Sequence, residues 1–199
     1  HFAALKAVGE SVEKPLQYYN NNLLGLLNIL ECVDKYEIPY LIFSSSASVY
    51  GNVETLPVDE NTPMGKAESP YAHTKKIGEE IIEHFYKVHP SIKGISLRYF
   101  NPVGSDITGL NGEDPINRPN NLVPIITQVA SGIIPELIVF GNDWNTRDGT
   151  CIRDYIHVSD IADAHLKALE YLIEDKQEGN YLVFNLGTGK GVTVNEAIN

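Results

Sequence analysis

Tyr71 and Lys75 are the residues of this chain whose types and spacing best suit acid–base chemistry. They lie four apart in the run SPYAHTKK, and four residues are slightly more than one helical turn, so both side chains fall on one face. Ser69 suits an N-cap and Pro70 the first helical position, which predicts a helix from 70 to about 88. Because a nearby ammonium favours the phenolate, we expect Lys75 to lower the tyrosine pKa from about 10 towards neutrality, where acid–base catalysis is efficient.

Two apolar runs, 40–46 and 94–100, are the elements that must position this pair. The first ends abruptly in three serines at 44–46, and the second is followed by the run NPVG. Ligands of open α/β sheets bind beyond the carboxyl ends of parallel strands, so strand, helix and strand predict one βαβ unit with its polar groups at one end. An ordinary turn cluster is the alternative interpretation of the serines, and the neighbouring tyrosine–lysine pair weighs against it.

Periodicity and turn residues predict the rest of the secondary structure. Apolar residues at spacings of three and four predict a long helix from Pro15 to about Lys35, with Cys32 packed in the core. The further predicted elements are helices at 122–131 and 160–174, the second capped by Ser159, and strands at 137–140 and 181–185. Loops are predicted at 52–68 and 104–121, and loops of this length in a compact domain are usually functional or disordered.

The composition limits the partners and the location of the protein. The 199 residues are 43% hydrophobic, which is enough for one sizeable core. A formal net charge of −11 argues against nucleic acid and anionic membranes, which attract basic surfaces. No apolar stretch reaches the length of a membrane span and no secretory signal is evident. Cys32 and Cys151 are too few for a disulfide framework, so we expect free thiols and a cytoplasmic protein.

Several longer runs carry a resemblance to a known family. The runs are HFAALKAVGES at 1–11, FSSSASVYG at 43–51, SPYAHTK at 69–75, LRYFNPVG at 97–104, PNNLVP at 119–124, RDGT at 147–150 and RDYIHV at 153–158 with Asp160. On these runs the chain resembles the extended short-chain dehydrogenase/reductase family, and within it the UDP-glucose 4-epimerases. The likeness runs from end to end in the same order, so it is more specific than any single motif.

The resemblance implies an α/β fold, a Rossmann-like doubly wound parallel sheet with part of a smaller substrate-binding lobe. All 199 residues would belong to one NAD-dependent epimerase/dehydratase domain. About 1–103 and 151–185 are expected to form mainly the Rossmann portion, and about 104–150 and 186–199 mainly the substrate lobe. The glycine-rich loop that holds the dinucleotide pyrophosphate belongs to the first βαβ unit of this fold and is absent from the sequence. We therefore interpret the chain as an internal fragment whose N-terminal βαβ units are missing.

The implied activity is that of an NAD-dependent isomerase of galactose metabolism, which interconverts UDP-glucose and UDP-galactose by transient oxidation at C4. That carbon has no acidic proton, so deprotonation cannot invert it. Removing hydride makes a flat ketone, and returning hydride to the other face inverts the carbon. Tyr71 is expected to take the C4 hydroxyl proton, and Ser46 to hydrogen-bond the same oxygen. Lys75 is expected to lower the phenol pKa and to bind the nicotinamide ribose.

The remaining site residues rest on the resemblance alone. The expected NAD contacts are Phe2, Ala3, Ala4, Leu5, Lys6, Asn21, Ser44, Ser46, Tyr71, Lys75, Tyr99 and Phe100. The expected UDP-sugar contacts are Ser46, Tyr71, Asn101, Asn121, Ile138, Val139, Phe140 and Arg153. Of these, 138–140 matches the uracil pocket, and Arg153 suits the diphosphate because guanidinium binds phosphate with two hydrogen bonds. Asp154, His157 and Asp160 are interpreted as groups that orient Arg153 and cap the next helix, and no metal is expected.

Other functions stay open at the level of the sequence. Related dehydratases typically place acidic residues beside the central hydroxyl residue, and the run SSSAS contains none, which favours the epimerases. A 4-epimerase of another UDP-hexose or of a UDP-uronate remains an alternative. A non-catalytic NAD or nucleotide-sugar binding module would fit if the chain were complete. The resemblance also implies a homodimer of the full-length protein, joined through the helix at 15–35 and the helix that carries Tyr71.

Overall fold

The computed structural model describes residues 1–113, 119–176 and 178–199, and the chain forms two compact units. The first unit contains His1–Tyr99 and Ala162–Leu186, and the second contains Phe100–Ile161 and Gly187–Asn199. The sequence-based division instead grouped 151–161 with the first portion. Which unit serves a cofactor and which a substrate stays a prediction.

The described part of the chain contains seven α-helices and six β-strands. In chain order they are α1 (Val8–Glu13), α2 (Pro15–Tyr19), α3 (Gly25–Lys35), β1 (Tyr40–Ser46), α4 (Pro70–Val88), β2 (Lys93–Tyr99), β3 (Asn101–Val103), α5 (Leu122–Ala130), β4 (Ile152–His157), α6 (Val158–Ile173), β5 (Tyr181–Leu186), β6 (Gly191–Thr193) and α7 (Val194–Ile198). A π-helical segment at Asn20–Leu24 joins α2 to α3, and a 3-10 turn at Ala47–Tyr50 follows β1. No helix among these residues has both the length and the apolar composition that crossing a bilayer requires.

The first unit is a parallel sheet with helices on both faces. Its strands follow the order β1-β2-β5, and β2 pairs in parallel with both neighbours. On one face the buried core is made by Leu26, Leu30, Val33, Leu41, Phe43, Ile82, Tyr86 and Ile92, from α3, α4 and the sheet. On the other face Ile95 and Leu97 pack against Ala168 and Leu172 of α6. The predicted α/β fold with a Rossmann-like parallel sheet is therefore confirmed, and so is its β1-α4-β2 unit.

The long helix predicted from Pro15 to Lys35 exists, but a π-helical segment interrupts it. A π turn holds more residues than an α turn, so it shifts the phase of the apolar stripe. The buried positions are Tyr18, Asn22, Leu26, Leu30 and Val33. Cys32 falls outside this stripe and is exposed, so the prediction that it packs in the core was wrong.

The second unit contains a small mixed sheet, in which β4 pairs in parallel with β3 and antiparallel with β6. The strand predicted at 137–140 was wrong, because that run has no regular structure and Phe140 is 84% exposed. A strand needs a hydrogen-bonded neighbour, and no described strand lies beside this run. Helix α6 begins at Val158, directly after β4, so Ser159 does not cap it. Thr193 and Glu196 form a capping box at the start of α7.

Candidate active site

The first turns of α4 direct Tyr71 and Lys75 towards the end of β1. The predicted cap is present, since the Ser69 hydroxyl accepts a hydrogen bond from the Ala72 N–H at 3.1 Å and Pro70 occupies the first turn. The Lys75 side chain is buried, and its Nζ donates to the Ser44 carbonyl at 2.6 Å. The same Nζ lies 5.9 Å from the centre of the Tyr71 ring. Helix and strand are thus joined by a buried ammonium.

The three serines that end β1, here called the serine tip (Ser44–Ser46), face different neighbours. Side chains of a strand alternate between its two faces, and the Ser44 hydroxyl accepts a bond from the Tyr99 hydroxyl at 2.7 Å. Ser45 points to the α4 side, where it donates to Glu79. The Ser46 side chain caps the 3-10 turn by accepting the Ser48 N–H at 3.2 Å. Ser46, the last residue of β1, is therefore the half-buried serine of the tip, whereas Ser44 and Ser45 are buried.

The ionisation of Tyr71 and Lys75 is governed mainly by burial. Burial raises the pKa of the Tyr71 phenol, and a hydrogen bond with the Ser46 hydroxyl acts in the opposite direction. Burial lowers the pKa of Lys75 to about 8, against the raising effect of the Glu79 charge. The expectation that Lys75 would lower the pKa of Tyr71 is not met in this structure, because the ammonium is directed to the Ser44 carbonyl. The Ser46 hydroxyl is the group that lowers the pKa of the Tyr71 phenol.

The segment at 1–6 lies beside β1 and is held by an asparagine that sequence reasoning missed. The His1 α-amino group donates to the Ile42 carbonyl at 2.7 Å. Asn22 accepts the Leu5 N–H at 2.8 Å and donates to the Leu5 carbonyl at 3.0 Å. The Asn22 side chain is buried, whereas the proposed cofactor ligand Asn21 is exposed and donates to Asn22. The run of three asparagines at 20–22 is the only signal in the sequence that could have pointed to Asn22.

Side chains at the start of this segment are open to solvent. Phe2 is 71% exposed and stacks against the His165 ring at 4.8 Å between centroids. Ala3 and Lys6 are exposed, while Ala4 and Leu5 are half-buried. Tyr99 donates to Ser44 as described, and burial raises its pKa to about 12. The predicted cofactor residues at 2–6 are therefore exposed or half-buried, whereas Ser44 and Lys75 are buried.

The second unit holds the other predicted substrate residues, most of them on its surface. Asn101 donates to the Asp154 carbonyl at 2.8 Å. Arg153 is exposed, and its Nη1 donates to the Ile152 carbonyl at 2.7 Å. Asn121 is exposed and precedes α5 without a capping bond. The run 138–140 is exposed as well, and the half-buried Phe100 lies next to Gly187, where an added Cβ would come within 3.0 Å of its ring.

The acidic and histidine residues after Arg153 have structural partners of their own. The Asp154 carboxylate accepts the backbone N–H groups of Thr188 and Gly189, at 2.9 and 2.8 Å, so it holds that loop and does not orient Arg153. The His157 ring accepts the Ser159 N–H at 3.1 Å and thereby caps α6. In the described part of the chain, no three His, Cys, Asp or Glu side chains are grouped as metal ligands would be.

The donors at the serine tip suit the nicotinamide end of a dinucleotide. Ser46 and Tyr71 offer hydroxyls and Lys75 an ammonium, a set that can hydrogen-bond ribose hydroxyls and a carboxamide. Ser46 and Tyr71 are half-buried, so these two residues remain accessible to a ligand, whereas Lys75 is buried. The chain contains no glycine-rich loop of the kind that binds the diphosphate. The residues present therefore fit one half of such a cofactor.

Comparison with known proteins finds a family and relatives that match this sequence along almost its whole length. The sequence model of the NAD dependent epimerase/dehydratase family matches residues 1–187. UDP-glucose 4-epimerase 1 of Oryza sativa is 50% identical over 198 residues, which cover 100% of this chain and 56% of the rice protein. UDP-glucose 4-epimerase of Yersinia enterocolitica is 49% identical over 98% of this chain and 56% of its own length. The chain thus spans a little over half the length of these relatives.

Solved structures give the same result in three dimensions. A UDP-glucose 4-epimerase from Stenotrophomonas maltophila, crystallised with NAD and formylated UDP-arabinopyranose, superimposes with a TM-score of 0.93 at 45% identity. The match covers 98% of this chain and 57% of that one. The Bifidobacterium longum enzyme with NAD+ and UDP gives a TM-score of 0.90 at 46% identity, with the same coverage of both chains. Likeness of this extent includes the positions of the strands and helices described above.

Proposed function

This chain belongs to the NAD dependent epimerase/dehydratase family, and from that premise we propose that the protein interconverts UDP-glucose and UDP-galactose. The proposal names NAD as the cofactor and C4 of the hexose as the reacting carbon. It is supported by relatives of about 50% identity that bear the name UDP-glucose 4-epimerase. The observation that carries it is the group of Ser46, Tyr71 and Lys75 at the carboxyl end of β1.

In this proposal Tyr71 holds or releases the proton of the C4 hydroxyl. Burial raises the pKa of its phenol, so the protonated form prevails at neutral pH and can return a proton to the sugar oxygen. Ser46, whose hydroxyl lowers the pKa of the phenol, would share the same sugar oxygen and guide the proton between the two groups. A positioned acid–base group of this kind contributes a factor of about 10² to 10⁴ in rate.

Lys75 would bind the nicotinamide ribose and supply positive charge. Its pKa of about 8 leaves it mainly protonated at neutral pH. Because the ammonium bonds the Ser44 carbonyl and is not among the causes of the Tyr71 pKa shift, the phenolate that accepts the sugar hydroxyl proton would be favoured by Ser46 and not by Lys75. The chemistry that bound NAD would supply is reversible hydride transfer at C4. The residues of this chain that would hold NAD are the 1–6 segment, Tyr99 and Lys75. On the second unit, Arg153 would bind the diphosphate.

The test uses the full-length protein that contains these residues. It is incubated with UDP-galactose without added NAD, and UDP-glucose is measured by chromatography. Tyr71→Phe should lower kcat by about 10² to 10⁴ and leave the bound NAD content and UDP-sugar affinity unchanged. Tyr36→Phe, which alters an exposed tyrosine at the end of α3, is the matched control and should retain full turnover. Near-normal turnover of Tyr71→Phe would remove this residue from its role.

We further propose that the full-length protein is a cytoplasmic homodimer. Apolar side chains on the helical region 8–29 are exposed in this structure, and a second copy would cover them. They are Val8, Val12, Leu16, Leu24, Leu27 and Ile29, with exposed fractions of 37–81%. Both cysteines are free thiols, as expected in a reducing compartment. A monomeric mass in light scattering of the full-length protein would contradict the dimer.

A further inference from the structure

A buried carboxylate and a buried guanidinium lie beneath the serine tip, and the proposed chemistry uses neither. The side chains of Glu79 and Arg98 are 3% and 5% exposed. Arg98 Nε lies 3.0 and 3.2 Å from the two carboxylate oxygens, and Nη2 lies 2.6 Å from one of them. Burial alone would lower the pKa of Arg98, but the hydrogen bonds and charge of Glu79 raise it. Charges this deep persist only when they are paired.

This ion pair hydrogen-bonds residues on both sides of Ser46. On the N-terminal side, the Ser45 hydroxyl donates to the Glu79 carboxylate. On the C-terminal side, Arg98 Nη1 donates to the Tyr50 hydroxyl at 2.8 Å. Because Ser46 lies between Ser45 and Tyr50, the turn that presents its hydroxyl is anchored before and after it. The Tyr50 hydroxyl in turn donates to Asn185 on β5 at 2.7 Å, which extends the anchorage across the sheet.

The pair is also joined to Tyr71 through the helix itself. Tyr71, Lys75 and Glu79 are spaced by four residues on α4, so their side chains lie one above another on the same face. The regular geometry of the helix keeps the Cβ atoms of these three residues at fixed distances from one another. A segment fastened to Glu79 is therefore also fixed relative to Tyr71. The serine tip, the Glu79–Arg98 pair and α4 are therefore connected to one another.

We propose that Glu79 and Arg98 are positioning residues that set the distance between the Ser46 and Tyr71 hydroxyl oxygens, acting through Ser45 and Tyr50. The proposal rests on the proposed function, in which those two hydroxyls share one sugar oxygen. Neither member of the pair is a proposed substrate contact, since both side chains are buried. Displacement of a reacting group by about 1 Å can cost on the order of 10²-fold in rate, so this indirect role has a measurable effect.

Two single-hydroxyl deletions test the proposal in the full-length, NAD-loaded protein. Ser45→Ala and Tyr50→Phe each remove one link to Ser46 and leave the Glu79–Arg98 pair in place. Ser96→Ala is the matched control, because Ser96 is an equally buried serine on β2 that bonds Tyr181 at 2.7 Å and not the pair. We expect kcat to fall about 10- to 100-fold in both test variants, while KM and NAD content stay within about twofold.

The control separates positioning from stability. A merely structural role would lower Tm in Ser45→Ala and Ser96→Ala alike and leave kcat per NAD-loaded molecule unchanged in both. Equal kcat values for these two variants would overturn the proposal. We expect Ser96→Ala to keep kcat within about twofold of the parent protein.

Crystal structures of the same variants give a measure that does not depend on turnover. We expect the distance from Ser46 Oγ to Tyr71 Oη to change by about 0.5 Å or more in Ser45→Ala, the tolerance within which a catalytic group must be held. An unchanged distance would overturn the positioning role even if turnover fell. If the parent protein failed to epimerise UDP-galactose, the proposed function would be lost, and the distance measurement would still decide whether Glu79 and Arg98 position Ser46.

Discussion

Replacing Lys75 by methionine should make the folded chain more stable while removing the ammonium that the proposed chemistry needs. The Lys75 side chain is 6% exposed, and burial lowers its pKa from 10.5 to about 8. Each pKa unit corresponds to about 1.4 kcal/mol, so protonation of this amine in the folded protein costs about 3 kcal/mol at neutral pH. Loss of the bond to the Ser44 carbonyl offsets about 1 kcal/mol. We therefore expect a net gain of about 2 kcal/mol in the free energy of unfolding.

The gain should depend on pH in a defined direction. Between about pH 8 and pH 10.5 the unfolded chain binds more protons at Lys75 than the folded chain, so the parent protein gains stability as the pH rises. The methionine variant lacks this contribution, and its advantage should shrink across that window. The other groups that face Lys75 are Glu79, Tyr71 and the His1 α-amino group. The pKa of the amino group is lowered below 8.0 and that of the phenol is raised above 10.0, so neither titrates over most of the window.

Urea unfolding followed by circular dichroism measures the difference at neutral pH and at about pH 10. Lys87→Met is the matched control, because Lys87 lies on the same helix with its side chain 61% exposed and paired to Glu83. Exposed ion pairs of this kind contribute about 0.5 kcal/mol or less. A Lys75→Met variant that is no more stable than Lys87→Met at neutral pH would refute the cost assigned to the buried ammonium. An equal difference in stability between the two variants at both pH values would refute it as well.

Two further predictions concern the packing of α4 on the sheet. The buried Tyr86 hydroxyl has no hydrogen-bond partner among residues 1–113, 119–176 and 178–199, so Tyr86→Phe should raise the free energy of unfolding by about 1 kcal/mol. A loss of stability in urea would show that the hydroxyl has a partner after all. At Gly94 an added Cβ would lie 1.9 Å from the Tyr86 hydroxyl and 2.8 Å from the Leu41 carbonyl, so Gly94→Ala should cost about 3 kcal/mol. Gly9→Ala, where a Cβ meets nothing within 4 Å, should be neutral or slightly stabilising, and equal effects of the two substitutions would contradict the steric argument.

Short-range patterns in the sequence determined the elements that carry the candidate site. The helix from Pro70 to Val88 and the strand from Tyr40 to Ser46 follow the predicted bounds closely. Their signals act over a few residues, because a cap bonds the first turn of its own helix and an apolar run ends where polar residues begin. The same local information failed at 137–140, since a strand depends on a neighbour that the run itself does not specify.

The sequence by itself determined which side chains could do chemistry, through residue type, spacing and family resemblance. Only the tertiary structure decided what surrounds them. It directed the Lys75 ammonium to the Ser44 carbonyl, so that burial, and not that cation, governs the pKa of Tyr71. It also joined Glu79 to Arg98 and Asn22 to Leu5, pairs that are 19 and 17 residues apart. The physical reason is that ionisation and buried hydrogen bonding depend on desolvation and on partners from other elements, and both exist only once the chain has folded.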